Sequence, residues 1–309
     1  MTHRLPPEGS PSGGDGAATD ATTVTLRDGI LAWGRPAYRD LPWRRTRDPW
    51  AILVSELMLQ QTQVARVVPR WDVFLARFPT AATCAAAPVG DVVRAWAGLG
   101  YNRRAVNLHR AATMVVDRHG GTLPADLGAL LALPGVGPYT ARAIRVFAFG
   151  ADVGLVETNS ARVLARAVAG GPLSAAQAQT WADALVPAGR GWDWNQAVMD
   201  FGSVVCRRRA PACGDCPVAR SCAWTMAGRP SPDPAEGTAG AGTGQPVFAG
   251  SDREGRGRLV AALRTGPVPV ADISAAAGWP GDPDRARRTA EALVFEGLAR
   301  LRDGTLTLD

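Results

Sequence analysis

The chain has 309 residues, 46% hydrophobic and 20% charged, with 34 basic against 28 acidic side chains and a formal charge of +6. All 34 basic residues are arginine, which excludes Schiff-base catalysis by a lysine and the phosphate grip of a P-loop lysine, because a guanidinium stays protonated and cannot stand in. No apolar run reaches the roughly 18 residues of a membrane span, no basic-then-apolar leader opens the chain, and the expectation is a cytoplasmic protein with a polyanionic partner and no membrane.

Residues 1–22 are rich in Gly, Ser, Pro, Ala and Thr and read as a disordered tail. A first folded segment follows at 23–227. Asp48-Pro49 is an N-cap with proline at the first helical position, and Trp50 to Met58 continues as helix. Apolar periodicity predicts further helices at Val64–Phe78, Gly90–Ala97, Arg103–His119, Asp126–Leu133, Tyr139–Ala148, Ser160–Ala169, Ala175–Val186 and Trp194–Cys206. Alternating strand patterns are lacking, so the class is all-α. Residues 228–248 read as a linker. In 249–309, Gly257–Arg264, Val270–Ala276 and Asp284–Gly297 are expected helices. Leu298–Arg302 and Thr305–Leu308 then flank Asp303-Gly304, a two-residue hairpin turn. Three short helices and a hairpin suggest a small winged helix. Its third helix carries Arg285, Arg287 and Arg288, either as a nucleic-acid contact or as a solvated face.

Four groups of residues carry chemistry. Cys206, Cys213, Cys216 and Cys222 are spaced C-x6-C-x2-C-x5-C, unlike the paired spacing of zinc fingers. Four thiolates suit a [4Fe–4S] cluster, with structural zinc as the alternative. Leu133-Pro134-Gly135-Val136-Gly137-Pro138-Tyr139 ends one helix, turns tightly and starts another. Backbone N–H groups at Gly135, Val136 and Gly137 can hold a DNA phosphate without reading sequence, or the segment is an ordinary helical turn. Glu56 lies on the apolar stripe of its helix, where desolvation would keep its proton near neutral pH, unless Arg44 or Arg66 pairs with it. Glu157, in Val156-Glu157-Thr158-Asn159, stands at a helix N-terminus, as a cap or as a second carboxylate facing Glu56. Asp200-Phe201-Gly202 matches the kinase metal-binding tripeptide, but no strand lysine accompanies it. Cys84 reads as a small buried hydrophobe. His3, His109 and His119 show no ligand spacing.

From Leu41-Pro42-Trp43-Arg44 to Cys222, these motifs in this order resemble the helix–hairpin–helix DNA glycosylases that carry a [4Fe–4S] cluster. Other matching strings are Gly98-Leu99-Gly100-Tyr101 and Asn107–Ala112, and Glu56–Thr62 is similar to the adenine-specific MutY-type branch. The resemblance implies a two-lobed fold: a helical barrel at about 49–148, with the hairpin at 127–148, and a cluster lobe from 23–48 and 149–227. It implies double-stranded DNA with a mismatched or oxidised base pair as partner, bound by a monomer. In the roles it implies, Glu56 protonates adenine, and Glu157, Tyr139 and Asn159 stabilise the cationic sugar. Trp43, Arg44, Leu59 and Gln196 line the base pocket, Gln61 enters the duplex, and Arg207, Arg208 and Arg209 meet phosphates. Tyr139 stands where strand-cutting relatives place a lysine, which implies a glycosylase without lyase activity.

Three features depart from the family pattern. Glu157 replaces an aspartate, and a shift of about 1 Å can cost about a hundredfold in rate. Asn102 replaces a tyrosine that wedges into DNA. Residues 249–309 are too short for the family's MutT-like domain. A thymine/uracil mismatch glycosylase and a catalytically silent DNA-binding module stay open as alternatives.

Overall fold

A computed structural model describes residues 20–241 and 247–308, so the expected tail at 1–19 and the middle of the expected linker fall outside the described residues. The first helix, α1 (Ala21–Ala37), begins inside the stretch read as tail. Asp20 caps it, accepting from the Thr23 amide at 2.8 Å. Its threonines and the late Pro36 hide the pattern in the sequence.

The centre of the first lobe is α2 (Pro49–Leu59). Asp48 accepts from the Trp50 amide at 3.1 Å and Pro49 occupies the first turn, as the sequence predicts. Every residue from Trp50 to Met58 is buried, including Ser55 and Glu56. The helix is therefore enclosed on all sides, whereas periodicity suggested a single apolar stripe. Around it close α3 (Val64–Arg77), α4 (Ala81–Ala86), α5 (Val89–Ala95), α6 (Arg103–His119), α7 (Leu127–Leu131) and α8 (Pro138–Phe147). Between α7 and α8, Gly135 adopts φ +83°, a conformation that glycine takes at little cost.

The second lobe has its own core, built on Leu26, Ile30, Leu164, Trp194 and Phe201. It comprises α1, α9 (Thr158–Val163), α10 (Ala175–Ala184), α11 (Gly191–Val204) and α12 (Ala223–Met226). The helix expected at 160–169 is two structures, because after Val163 the chain widens into a π-helical turn at Leu164–Ala169. The first half of the expected linker is packed onto this lobe. Thr238 is buried and accepts from the Leu173 amide at 3.0 Å, and the Ala239 amide donates to the Leu173 carbonyl at 2.9 Å.

The C-terminal module runs α13 (Asp252–Thr265), β1 (Val268–Pro269), α14 (Ile273–Ala277), α15 (Pro283–Phe295), β2 (Arg300–Arg302) and β3 (Thr305–Thr307). Its antiparallel sheet has the order β1-β3-β2, and the β2–β3 turn places Asp303 and Gly304 at positive φ. This is the winged-helix-like order, with one strand too short to read from sequence. The module shares one continuous core with the first lobe. Arg264 ties the two together, donating to the Val93 carbonyl at 3.2 Å and the Asn102 side chain at 2.7 Å. Among the described residues, no helix is long and apolar enough to cross a membrane.

Candidate active site

Two carboxylates and a phenol meet where the two lobes join. Glu56 is 6% exposed, on the enclosed helix α2. Neither suggested arginine pairs with it: Arg44 is held by Asp200 at 2.7 and 3.0 Å, and Arg66 donates to the Gly98 carbonyl. Burial, reinforced by the nearby charge of Glu157, pushes the Glu56 pKa up to about 8, against a smaller opposing effect from the Tyr139 hydroxyl. Tyr139, at the start of α8, is itself held well above the usual phenol range by burial and by both carboxylates.

Glu157 caps α9 from an extended backbone. Its Oε1 accepts from the amides of Asn159 at 2.8 Å and Ser160 at 2.9 Å, and its Oε2 from the Asn159 side chain at 3.1 Å. The Ser160 hydroxyl accepts in return from the Glu157 amide at 2.9 Å. These are the second and third helical amides, the donors that a capping aspartate would use. The extra methylene of glutamate is therefore absorbed by folding the side chain back onto its own helix. Burial raises the Glu157 pKa, while the two amides and the charges of Arg162 and Arg39 favour its ionised form. The two acids thus differ: Glu157 is solvated by fixed donors, and Glu56 is not.

Asn159 is set by a close helix approach. A Cβ at Gly202 of α11 would lie 2.7 Å from the Asn159 Cβ. Arg162 bonds the Asn159 side chain at 2.8 Å and the Cys206 carbonyl at 2.7 Å, linking this site to the first cysteine. On α11, Gln196 is 4% exposed, and its amide has no hydrogen-bond partner among the described residues. A buried unpaired amide costs about 1–3 kcal/mol, which a bound polar group would relieve. Leu59 is half-buried against the same core. Trp43 packs in that core edge-on to Trp71, at 6.2 Å. Arg44 is committed to Asp200, so the side chain expected to line a base pocket is instead part of a buried ion pair.

Gln61 is exposed at φ +54°, and Tyr101 is 40% exposed at φ +45°. Both line a cleft of about 420 Å³. Left-handed backbone at non-glycine residues costs about 1–3 kcal/mol each and clusters at functional sites. Asn102, in contrast, is buried and held by Arg264, so it does not project as a wedge. Sequence reasoning missed Arg104. Its buried guanidinium donates to the carbonyls of Leu57, Met58 and Gln60 at 2.7, 2.8 and 2.5 Å, and to those of Leu99 and Gly100 at 3.2 and 3.1 Å. It closes the end of α2 and fixes the loops of Gln61 and Tyr101. The arginine carried no signal, because its acceptors come together only in the fold.

In the hairpin, the Val136 amide bonds the Leu133 carbonyl at 3.1 Å, while the amides of Gly135 and Gly137 have no acceptor among the described residues. Arg207, Arg208 and Arg209 are exposed. Cys206, Cys213, Cys216 and Cys222 line one recess together with Arg166. Arg166 donates to the Cys206 sulfur at 3.5 Å and to the Arg207 carbonyl at 2.8 Å. Among the described residues, no three His, Cys, Asp or Glu side chains converge on a single-ion position. Cys84 is buried, and His109 bonds the Ala87 carbonyl at 2.9 Å, a structural contact.

Two backbone amides without acceptors in a tight helical turn, a four-thiol recess and a buried acid of raised pKa beside a helix-capped carboxylate fit a DNA-handling helix–hairpin–helix protein. Residues 54–241 match the HhH-GPD superfamily of base excision DNA repair proteins, and the chain belongs to that superfamily. It is similar to the adenine DNA glycosylase of Mycolicibacterium smegmatis, at 41% identity over 90% of this chain and 94% of that one. It is also similar to the thymine/uracil-DNA glycosylase of Methanothermobacter thermautotrophicus, at 34% identity over 67% and 96%. The solved structure of a thermostable thymine-DNA glycosylase superposes with a TM-score of 0.64 at 32% identity, over 67% of this chain and 97% of that one.

The raised pKa of Glu56 has a consequence for stability. The folded state holds this proton more tightly than the unfolded chain, so stability falls as pH rises from about 4.5 through about 8. Glu56→Gln removes that loss. In denaturant titrations the variant is expected to be more stable than the parent at neutral pH and to converge with it below about pH 4.5.

Proposed function

We propose that the chain is a monofunctional DNA glycosylase that hydrolyses the N-glycosidic bond of adenine mispaired with 8-oxoguanine or guanine. The carrying observation is Glu56, an acid kept protonated near neutral pH beside a second carboxylate held by amides. An extruded adenine is a poor leaving group until its N7 is protonated, and a buried carboxylic acid suits that transfer. A pyrimidine has no N7 to accept the proton, so this acid favours a purine substrate. As the bond breaks, the sugar gains cationic character. Glu157 stabilises it electrostatically, with Asn159 and the Tyr139 hydroxyl orienting the two carboxylates. Gln196, Leu59 and Trp43 are the groups placed to border the base, and Arg44 acts through Asp200. Water then completes hydrolysis. The greater identity and coverage shared with adenine DNA glycosylases also support adenine over thymine or uracil.

Gln61 and Tyr101, on strained backbone beside the cleft, enter or border the duplex. The amides of Gly135 and Gly137 and the exposed Arg207, Arg208 and Arg209 hold phosphates without reading sequence. No lysine exists to open the abasic product through a Schiff base, so the strand is left intact. Cys206, Cys213, Cys216 and Cys222 would hold a [4Fe–4S] cluster; burial raises the Cys206 thiol pKa on balance, and the Arg166 guanidinium beside it opposes that rise. Through these four cysteines the loop that carries the three arginines would be tied to such a cluster, whose role there would be structural. The protein acts in the cytoplasm as a monomer on double-stranded DNA.

Labelled duplexes containing A:8-oxoG, A:G, T:G and U:G, treated with alkali after incubation, test the reading. Cleavage only at adenine is expected, with none before alkali. Cleavage only at T or U contradicts it, as does tight binding without any base release. Glu56→Gln should lose base release by at least about a hundredfold, the lower range of acid catalysis, while retaining DNA binding. The purified protein should be brown, with broad absorbance near about 400 nm, and lose that colour when Cys216→Ser removes a ligand. A colourless zinc protein contradicts the cluster.

A further inference from the structure

The C-terminal module carries nine arginines and nine acidic residues, so its net charge is zero. The fold does not spread them evenly. Along α15, positions 285, 288, 292 and 295 fall on one helical face by their three- and four-residue spacing. Arg285, Arg288 and Ala292 line a trough of about 390 Å³ with Arg253 and Arg256 of α13. Arg256 also lines the cleft of Gln61 and Tyr101, so trough and cleft adjoin at its side chain. Arg253 reaches the Tyr101 hydroxyl at 3.4 Å. The carboxylates that line the trough and the cleft are Asp252, paired with Arg285, and Glu296, paired with Arg256, and Glu291, one turn from Arg288, is turned to Arg287. Arg288 is exposed and has no acidic partner among the described residues. At the end of the same face, next to Glu296 of the cleft, Phe295 is 91% exposed. Arg287 lies on the far side of the helix, paired with Asp284 and Glu291.

We propose that this face of α13 and α15 is a second DNA-binding surface: Arg288 and its neighbours hold backbone phosphates of the duplex beside the lesion, and Phe295 packs an apolar side chain against the same DNA. The adjacency to the Gln61 cleft, through Arg256, and the gathering of Arg253, Arg256, Arg285 and Arg288 along one trough of a neutral module point to the duplex as occupant. The shared core and the Arg264 staple hold the surface at a fixed offset from the cleft, so both can engage one duplex. The surface extends the interface of the proposed glycosylase and rests on its handling of duplex DNA.

The test is the affinity of the full chain for a duplex carrying a stable abasic-site analogue opposite guanine, measured across salt concentrations. Arg288→Ala should bind about three- to tenfold more weakly and lower the slope of log affinity against log salt by about 1. Arg288→Lys, which keeps the charge, should restore both, and Arg287→Ala should change neither. Phe295→Ala should lose a similar factor in affinity with its salt slope unchanged, because the contact is apolar. Parental affinity and slope in Arg288→Ala overturn the surface while leaving the glycosylase reading intact. An equal loss in Arg287→Ala overturns it too, because the effect would then be general charge. Parental affinity in Phe295→Ala removes that residue from the surface, and a parent protein that does not bind the duplex overturns both the surface and the reading it rests on.

Discussion

A carboxylic acid held out of water is the constraint on which the rest of this structure depends. Glu56 can keep its proton near neutral pH only because α2 is enclosed on every side and neither Arg44 nor Arg66 is left to neutralise it. Burying such a group works against folding. The opposing contribution comes from the surrounding helices, whose large side chains, Phe74 and Trp96 among them, pack at near-zero exposure. Glu157 is buried as well, but the amides at the start of α9 supply the solvation that Glu56 lacks. One acid is therefore suited to donate a proton and the other to carry a charge, as one fold requires of paired carboxylates with different duties.

Arginine does the work of joining the parts. Arg104 gathers carbonyls from the end of α2 and from the loop before α6, so that Gln61 and Tyr101 face one cleft. Arg162 spans from Asn159 to the carbonyl of Cys206, and Arg166 from the Cys206 sulfur to Asp233. The planar fork of the guanidinium reaches several acceptors at once, which a lysine ammonium on its flexible stem does less well. A chain whose every basic residue is arginine thus gains multidentate joints within each lobe, while it lacks the amine for lyase chemistry.

Much of this was legible in the sequence, and the exceptions have physical causes. Asp48-Pro49 marks the start of α2 because proline and the cap act locally. The cysteine spacing was readable for the same reason, since the four thiols lie within 17 residues. The burial of α2 on all sides was not readable, because periodicity reports a stripe and not what covers the other faces. Arg44 was read as bordering a base, yet its partner Asp200 lies 156 residues away, beyond any local pattern. Asn102 departs from the family's wedge pattern, and its partner, Arg264 of the C-terminal module, lies 162 residues away, beyond any local pattern. Arg104, spaced like any surface arginine, is visible as a joint only once the carbonyls converge.

The account stands or falls on the protonation of Glu56 during base release. The measurement is the second-order rate of adenine release from A:8-oxoG duplex as a function of pH, with the protein below saturation, where the profile reports the acid of the free protein. The rate should be level at neutral pH and fall about tenfold per pH unit once pH exceeds about 8, as the acid loses its proton. A rate that rises through that range, or stays level well above it, would show that Glu56 is not the proton donor.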